Sequence, residues 1–327
     1  MNKIAVLTSG GDAPGMNAAV RAVVRYGISR GLKVFGIERG YEGLLEGKLS
    51  EYDARRVSDT VHRGGTILKT ARSARFATAE GVKDAYEVLT AFGIEGLVVI
   101  GGDGSFRGMQ DLQHYFVSRG ETFACAGIPG TIDNDLGYTD FSLGFDTAVN
   151  TVLSALSNIR DTMTSHDRVC IVEVMGRKCG DIALYSALGG GAETILVPEV
   201  PLDIEAVVTR IRRNKIKGKN SDIIVLAEGV TDAETLKTLL KDRLGNEQSL
   251  RTIKLGYIQR GGAPSSFDRL FASRCAVRAV DILLNNGVGS VIGIKNNEII
   301  NLPIDEGLAI KKSFNKELYD IASAISG

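Results

Sequence analysis

Short apolar runs rich in β-branched residues recur along the chain. They alternate with longer stretches in which apolar positions repeat at helical spacing. KIAVLT, KVFGI, GLVVIGG, FACAGIP, RVCIVEV, ETILVP, DIIVLA and SVIGI predict strands. MNAAVRAVVRYGISR, DTAVNTVLSALSNIRD and SFDRLFASRCAVRAVDILLNN predict amphipathic helices. Strands with so little polar alternation suit parallel sheets covered by helices on both faces. The pattern predicts an α/β, doubly wound fold that takes ligands beyond the carboxyl ends of its strands. No solenoid repeat or low-complexity segment interrupts it.

The 327 residues exceed what one core usually serves, about 250–300 residues, so two domains are expected. A second sheet is expected to begin near residue 143, after the loop GTIDND. A hydrophobic share of 44% and a charged share of 24% are ordinary for a globular protein. Lys plus Arg and Asp plus Glu each number 39, so the overall charge points to neither nucleic acid nor an anionic membrane. Cys125, Cys170, Cys179 and Cys275 are scattered without metal-ligand spacing and read as thiols in a reducing compartment. MNKIAVLTSGGDAPG runs directly into a strand and a glycine loop without a signal-peptide layout. No apolar run approaches the roughly 20 residues of a membrane span. A cytoplasmic protein is expected.

Two strand ends, VLTSGGDAPGMN and VVIGGDGSFRG, pass through glycines into a helix. Glycine permits close backbone approach, and a helix N-terminus offers unpaired N–H groups that suit phosphate oxygens. Neither loop is a Walker A motif, and Gly102, Gly104 and Gly108 miss the GxGxxG spacing by one residue. Locally, Asp103 reads equally as a Mg²⁺ ligand or as a helix cap. The loop IPGTIDNDLGYTD offers Thr131, Asp133 and Asp135, which read as an acidic turn or as a catalytic loop. Arg63, Lys69, Arg72, Arg75, Arg177, Arg251 and Arg260 lie in or beside glycine turns and strand ends. The planar arginine fork matches phosphate oxygens, so a small phosphorylated ligand is expected. His62, His114 and His166 lack metal-ligand spacing.

In order, LTSGGDAPGMNAAVR, VVIGGDGS, PGTIDND, VEVMGR, AEG and IQRGG resemble the bacterial ATP-dependent 6-phosphofructokinase family over nearly the full chain. The resemblance implies two doubly wound domains with largely parallel sheets and an active site in the cleft between them. It implies an ATP-binding domain of 1–143 plus about 258–308, and a fructose 6-phosphate-binding domain of 144–257 plus about 309–327. It further implies a homotetramer that moves the γ-phosphoryl of MgATP to the 1-hydroxyl of fructose 6-phosphate, with Mg²⁺ as cofactor.

By the same resemblance Gly11, Arg72, Ser73, Gly102, Asp103, Gly104 and Ser105 bind ATP, with Asp103 on the metal. Asp133 is the implied general base, and Thr131, Arg72 and Gly11 complete the catalytic set. Thr131, Ile132, Asp133, Met175, Gly176, Arg177, Glu228, Tyr257 and Arg260 fall on substrate positions. Arg168 and Arg251 match arginines that reach a neighbouring subunit's substrate. Arg21, Arg25, Arg160, Gly191, Glu193, Lys217 and Lys219 fall on an effector site for ADP and phosphoenolpyruvate.

Gly104 and Gly130 side with ATP, since pyrophosphate-dependent relatives tend to carry aspartate and lysine there. A pyrophosphate-dependent enzyme and a non-catalytic sensor of nucleotide or sugar phosphate are the competing readings. The chain departs from the family at Tyr257, Ala54 and Asn220–Ser221, and YFVSRGETFA is longer than its family counterpart.

Overall fold

The computed structural model describes residues 1–245, 248–285 and 289–326. In chain order it begins with β1 (Lys3–Thr8), α1 (Met16–Ser29), β2 (Lys33–Ile37), α2 (Gly40–Leu45), β3 (Leu49–Tyr52), α3 (Ala79–Phe92), β4 (Gly96–Gly101), α4 (Asp103–Ser118) and β5 (Ala124–Pro129). It continues with α5 (Phe145–Ser165), β6 (Arg168–Val174), α6 (Asp181–Gly190), β7 (Thr194–Leu196), α7 (Ile204–Ile216), β8 (Asp222–Ala227), α8 (Ala233–Leu244) and β9 (Ser249–Lys254). It closes with α9 (Ser266–Leu284), β10 (Ser290–Lys295), β11 (Glu298–Pro303), α10 (Ile304–Ala309) and α11 (Lys316–Ile325). Two compact units share these elements. One comprises Met1–Ile132, Leu136–Thr147 and Arg260–Lys312, and the other Asp133–Asp135, Ala148–Gln259 and Ser313–Gly327.

The first unit holds a sheet in the order β11-β10-β5-β4-β1-β2-β3. Strands β10, β5, β4, β1 and β2 run parallel, while β3 and β11 pair antiparallel at the two edges. The inner strands β4 and β5 are buried throughout, as their unbroken apolar runs require when both sheet faces are covered. Ala5 and Leu7 of β1, with Leu97 and Val99 of β4, join a core with Leu44, Leu89, Phe106 and Met109 from α2, α3 and α4. Helices α1 and α9 pack on each other, and α9 lies against β4, β5 and β10.

The second unit is built on an all-parallel sheet in the order β7-β8-β6-β9. Val169 and Ile171 of β6 and Ile224 and Leu226 of β8 pack against Val208 and Ile211 of α7 and Leu236 and Leu240 of α8. Asp203 and Asp232 cap α7 and α8 by accepting from the Ala206 and Thr235 amides, each at 2.9 Å.

The expected α/β, doubly wound class is the fold found, and each run read as a strand becomes one. The periodicity did not single out β3, β9 and β11, and all three are sheet edges. Among the described residues no helix is long and apolar enough to cross a membrane.

Candidate active site

In the first unit the glycine loops follow β1 and β4, adjacent parallel strands whose carboxyl ends lie side by side. Helices α1 and α4 begin at Gly15 and Gly102, and neither has a side-chain cap. Helices α3, α7, α8 and α9, by contrast, each carry one. The Met16 and Ser105 amides in those first turns donate to the Ala13 and Gly102 carbonyls at 3.2 and 3.0 Å, and with no side chain capping either helix the two N-termini suit phosphate oxygens.

A Cβ on Gly11 would stand 2.5 Å from Arg260 Nη1, and that nitrogen donates to the Asp12 carbonyl at 3.2 Å. Gly11 thus lets the backbone pass close beneath a guanidinium, and any side chain there would first displace Arg260. A Cβ on Gly102 would meet Thr131 Cβ at 3.6 Å, which places the Gly102–Ser105 turn beside Thr131. A Cβ on Gly104 would meet nothing within 4 Å. Asp103 opens α4 and its carboxylate takes Arg107 Nε at 2.8 Å and Arg107 Nη2 at 3.2 Å.

The segment carrying Arg72 and Ser73 is tied to the first glycine loop. Thr70 Oγ1 donates to the Gly10 carbonyl at 2.8 Å, and Thr8 Oγ1 donates to the Lys69 carbonyl at 2.8 Å. Arg72 itself is exposed, and Ser73 Oγ accepts from the Phe76 amide at 3.0 Å.

Sequence reasoning missed an aromatic wall next to these residues. Tyr41 and Phe76 stack at 3.9 Å, and Tyr41 Oη donates to the Ser105 carbonyl at 2.7 Å. A Cβ on Gly108 would fall 2.7 Å from the Phe76 ring. Glycine inside helix α4 was the available signal, because it costs stability there unless something approaches closely.

In the second unit the candidate residues gather beyond the carboxyl ends of β6 and β8. Gly176 has φ 132°, and Arg177 follows in the left-handed region at φ 50°. The Arg177 amide donates to Glu228 Oε1 at 3.0 Å, and the Met175 amide donates to Gln259 Oε1 at 3.1 Å. Arg177 Nε lies 3.3 Å from Asp133 Oδ2, and Asp133 is only 2% exposed. Met175, Gly176, Arg177, Glu228 and Asp133 therefore form one cluster, and Ile132 precedes it in the chain. Tyr257 stands in the short 3₁₀ turn Gly256–Gln259 with 85% exposure. Arg168 and Arg251 are not part of this cluster. Arg168 opens β6, and Arg251 pairs with Cys170 near the same end of the sheet.

The residues assigned to an effector site fall partly together. Arg160 Nη1 and Lys219 Nζ reach Glu193 Oε1 at 2.9 and 2.5 Å, and the Ile223 amide donates to Glu193 Oε2 at 2.6 Å. Arg160 also donates to the carbonyls of Gly190 and Gly191. Burial alone would raise the Glu193 carboxyl, but the hydrogen bonds from Lys219, Ile223 and Arg160 hold it below the usual carboxylate range. Lys217 caps the end of α7 and lies outside this network. Arg21 and Arg25 belong to α1 of the first unit, where Arg25 donates to the Ala54 carbonyl and Ser58 Oγ, both at 3.3 Å.

Fold and loops together define a doubly wound α/β protein of the kind that takes phosphate-bearing ligands at glycine-lined strand ends. The phosphofructokinase family model matches residues 3–283, and the chain belongs to that family. It is 54% identical over 326 residues to an ATP-dependent 6-phosphofructokinase of Clostridium botulinum (strain Loch Maree / Type A3), covering 100% of both chains. It is 53% identical, again over 100% of both, to the enzyme of that name from Clostridium novyi (strain NT). The structure of phosphofructokinase from Saccharomyces cerevisiae superposes with a TM-score of 0.88 at 36% identity, covering 99% of this chain and 47% of the yeast chain. A pyrophosphate-dependent phosphofructokinase from Marinobacter aquaeolei shares the fold, with a TM-score of 0.85 at 23% identity over 97% of this chain and 86% of its own.

Proposed function

We propose that this chain moves the γ-phosphoryl of MgATP to the 1-hydroxyl of fructose 6-phosphate, giving fructose 1,6-bisphosphate and ADP. The observation that carries the reading is full-length identity of 54% to an enzyme named for that reaction. The clustering of Asp133, Arg177 and Glu228 at one set of strand ends supports it.

Gly11, Arg72, Ser73 and the Gly102–Ser105 turn take the nucleotide phosphates. Asp103, half-exposed at the start of α4 with Arg107 as its partner, would be the residue to hold Mg²⁺ together with the nucleotide, since such ions take one or two carboxylates beside phosphate oxygens. Bound there, Mg²⁺ would offset the negative charge of the nucleotide phosphates. Met175, Gly176, Arg177, Glu228, Tyr257 and Arg260 orient the sugar phosphate.

Asp133 accepts the proton of the 1-hydroxyl as that oxygen bonds to the γ-phosphorus. The bond from phosphorus to the β-phosphate oxygen breaks, and ADP leaves with the electron pair. Proton removal of this kind contributes about 10²–10⁴-fold. Arg72 and Thr131 hold the transferring group in line.

The protein works in the cytoplasm as a homotetramer, with Arg168 and Arg251 serving a neighbouring copy. ADP and phosphoenolpyruvate act at Arg21, Arg25, Arg160, Gly191, Glu193, Lys217 and Lys219. A coupled assay comparing ATP with pyrophosphate as donor to fructose 6-phosphate tests the reading. Turnover with ATP and none with pyrophosphate is expected, and the reverse would overturn it.

A further inference from the structure

The segment Asp133–Asp135 belongs by its contacts to the second unit, although the chain on either side of it belongs to the first. Asn134 is the residue that anchors it. Its backbone is left-handed, at φ 52°, and its side chain is fully buried. Asn134 Nδ2 donates to Asp181 Oδ2 at 2.8 Å, and Cys179 Sγ donates to the Asn134 carbonyl at 3.7 Å. Asp181 is the first residue of α6 and is 4% exposed. Asp181 and Cys179 flank Gly180 in the same β6–α6 connection that carries Met175, Gly176 and Arg177. Arg177 in turn contacts Asp133 itself. One connection therefore grips the segment twice, through Arg177 on Asp133 and through Asp181 on its neighbour.

We infer that Asp181 is a positioning residue for the base. By holding the Asn134 amide it fixes the left-handed turn and so sets where the Asp133 carboxylate points. The inference rests on Asp133 being the base. A hydrogen bond from an amide to a buried carboxylate is charge-assisted and directional, and removing its acceptor takes away the contact that ties Asn134 to α6. The turn then relaxes, and a displacement of about 1 Å at a reacting group costs on the order of 10²-fold in rate. Asparagine suits this position because it tolerates a left-handed backbone better than most residues and still offers an amide donor.

The test measures kcat, both KM values and thermal midpoints for Asp181→Ala, Asp181→Asn, Asn134→Gly and the double variant Asn134→Gly/Asp181→Ala, with Asp133→Ser as reference. Asp181→Ala is expected to lower kcat by about 30–100-fold while KM for ATP stays within about 2-fold. Asp181→Asn keeps an oxygen that accepts from Asn134 and is expected to recover kcat to within about 5-fold of native. Asn134→Gly keeps the left-handed turn but loses the amide, so it should fall with Asp181→Ala. The double variant should be no worse than either single change, because both remove the same bond. A kcat for Asp181→Ala within about 3-fold of native, or losses that multiply in the double variant, would overturn the inference. If Asp181→Ala does not fold, Asn134→Gly decides the matter in the same way, since it leaves the α6 carboxylate in place. An Asp133→Ser enzyme with native kcat would remove the base reading and the inference with it. An inactive Asp133→Ser beside an unaffected Asn134→Gly would remove the inference alone.

Discussion

The residues that matter most in this chain differ in how much their own surroundings constrain them. Asp133 is buried and held by Arg177, so changing it removes a carboxylate from a defined place. Asp133→Ser is expected to lower kcat by about 10²–10⁴-fold while KM for fructose 6-phosphate moves comparatively little, as steady-state kinetics would show. Gly104 is the opposite case, since a side chain there would meet nothing within 4 Å and its backbone needs no positive φ. Gly104→Asp should therefore fold normally, with a thermal midpoint within about 2 °C of native. Its cost should appear only with the nucleotide, as a KM for ATP raised by about 10-fold or more through repulsion of the phosphates. A drop in stability without a change in KM would show that the position is not open. Gly130 offers no such clean test, because a Cβ there would lie 3.0 Å from Ile100 and 3.1 Å from Met16.

At the scale of elements, the legible and illegible parts of the sequence divide along the sheets. Central strands such as β4 and β5 are apolar on both faces and announce themselves by an unbroken run. Strands β3, β9 and β11 each lie at an edge, where one side is solvated and residues such as Glu51, Arg251 and Asn301 interrupt the pattern. An edge tolerates such residues and even favours charge as protection against pairing with other chains. The glycine loops could be read from the sequence because glycine marks close approach. The grip of Asp181 on Asn134 could not, since it joins residues 47 apart that only the fold brings together.

Asp268 of α9 is a second long-range carboxylate of this kind, and it accepts from the Gly144 amide at 2.8 Å and the Thr147 amide at 2.9 Å. Burial pushes its pKa up to about 6, against the pull of the hydrogen bonds from Thr147 and Gly144. The unfolded value is lower, about 3.9, so between these limits the folded chain binds a proton that the unfolded chain releases. The stabilisation from that proton is complete below the unfolded pKa and is lost as pH rises through about 6. Asp268→Asn cannot titrate. The stability of the native chain relative to this variant should therefore fall between about pH 3.5 and 6.5, by about 2–3 kcal/mol in all. Urea unfolding of both proteins across that range measures it. Asp222, also raised to about 6, is present in both and cancels in the comparison.

For the whole molecule, the question is whether one chain carries a complete site. Met175, Gly176, Arg177, Glu228 and Asp133 meet beyond the carboxyl ends of β6 and β8, but Arg168 lies at the opposite end of β6. A strand rises about 3.3 Å per residue, so the length of β6 puts roughly 20 Å between Arg168 and the connection that follows it, further than an arginine side chain extends. Arg251, paired with Cys170, is also displaced toward that end. Arginines so placed lie away from the Asp133 cluster of their own unit, which agrees with the proposal that they serve a substrate bound by another copy.

That arrangement makes a quantitative prediction for mixed assemblies. Asp133→Ser and Arg251→Ala chains, each expected to be inactive at low fructose 6-phosphate, are co-expressed in equal amounts. If Arg251 acts across an interface, each mixed pair contains one site with a native Asp133 from one chain and a native Arg251 from the other. Random pairing makes half of all pairs mixed, and half of their sites intact, so the pool should regain roughly a quarter of native activity. If Arg251 acts within its own chain, every site keeps one of the two lesions. The co-expressed pool would then be no more active than the mean of the two variants assayed apart.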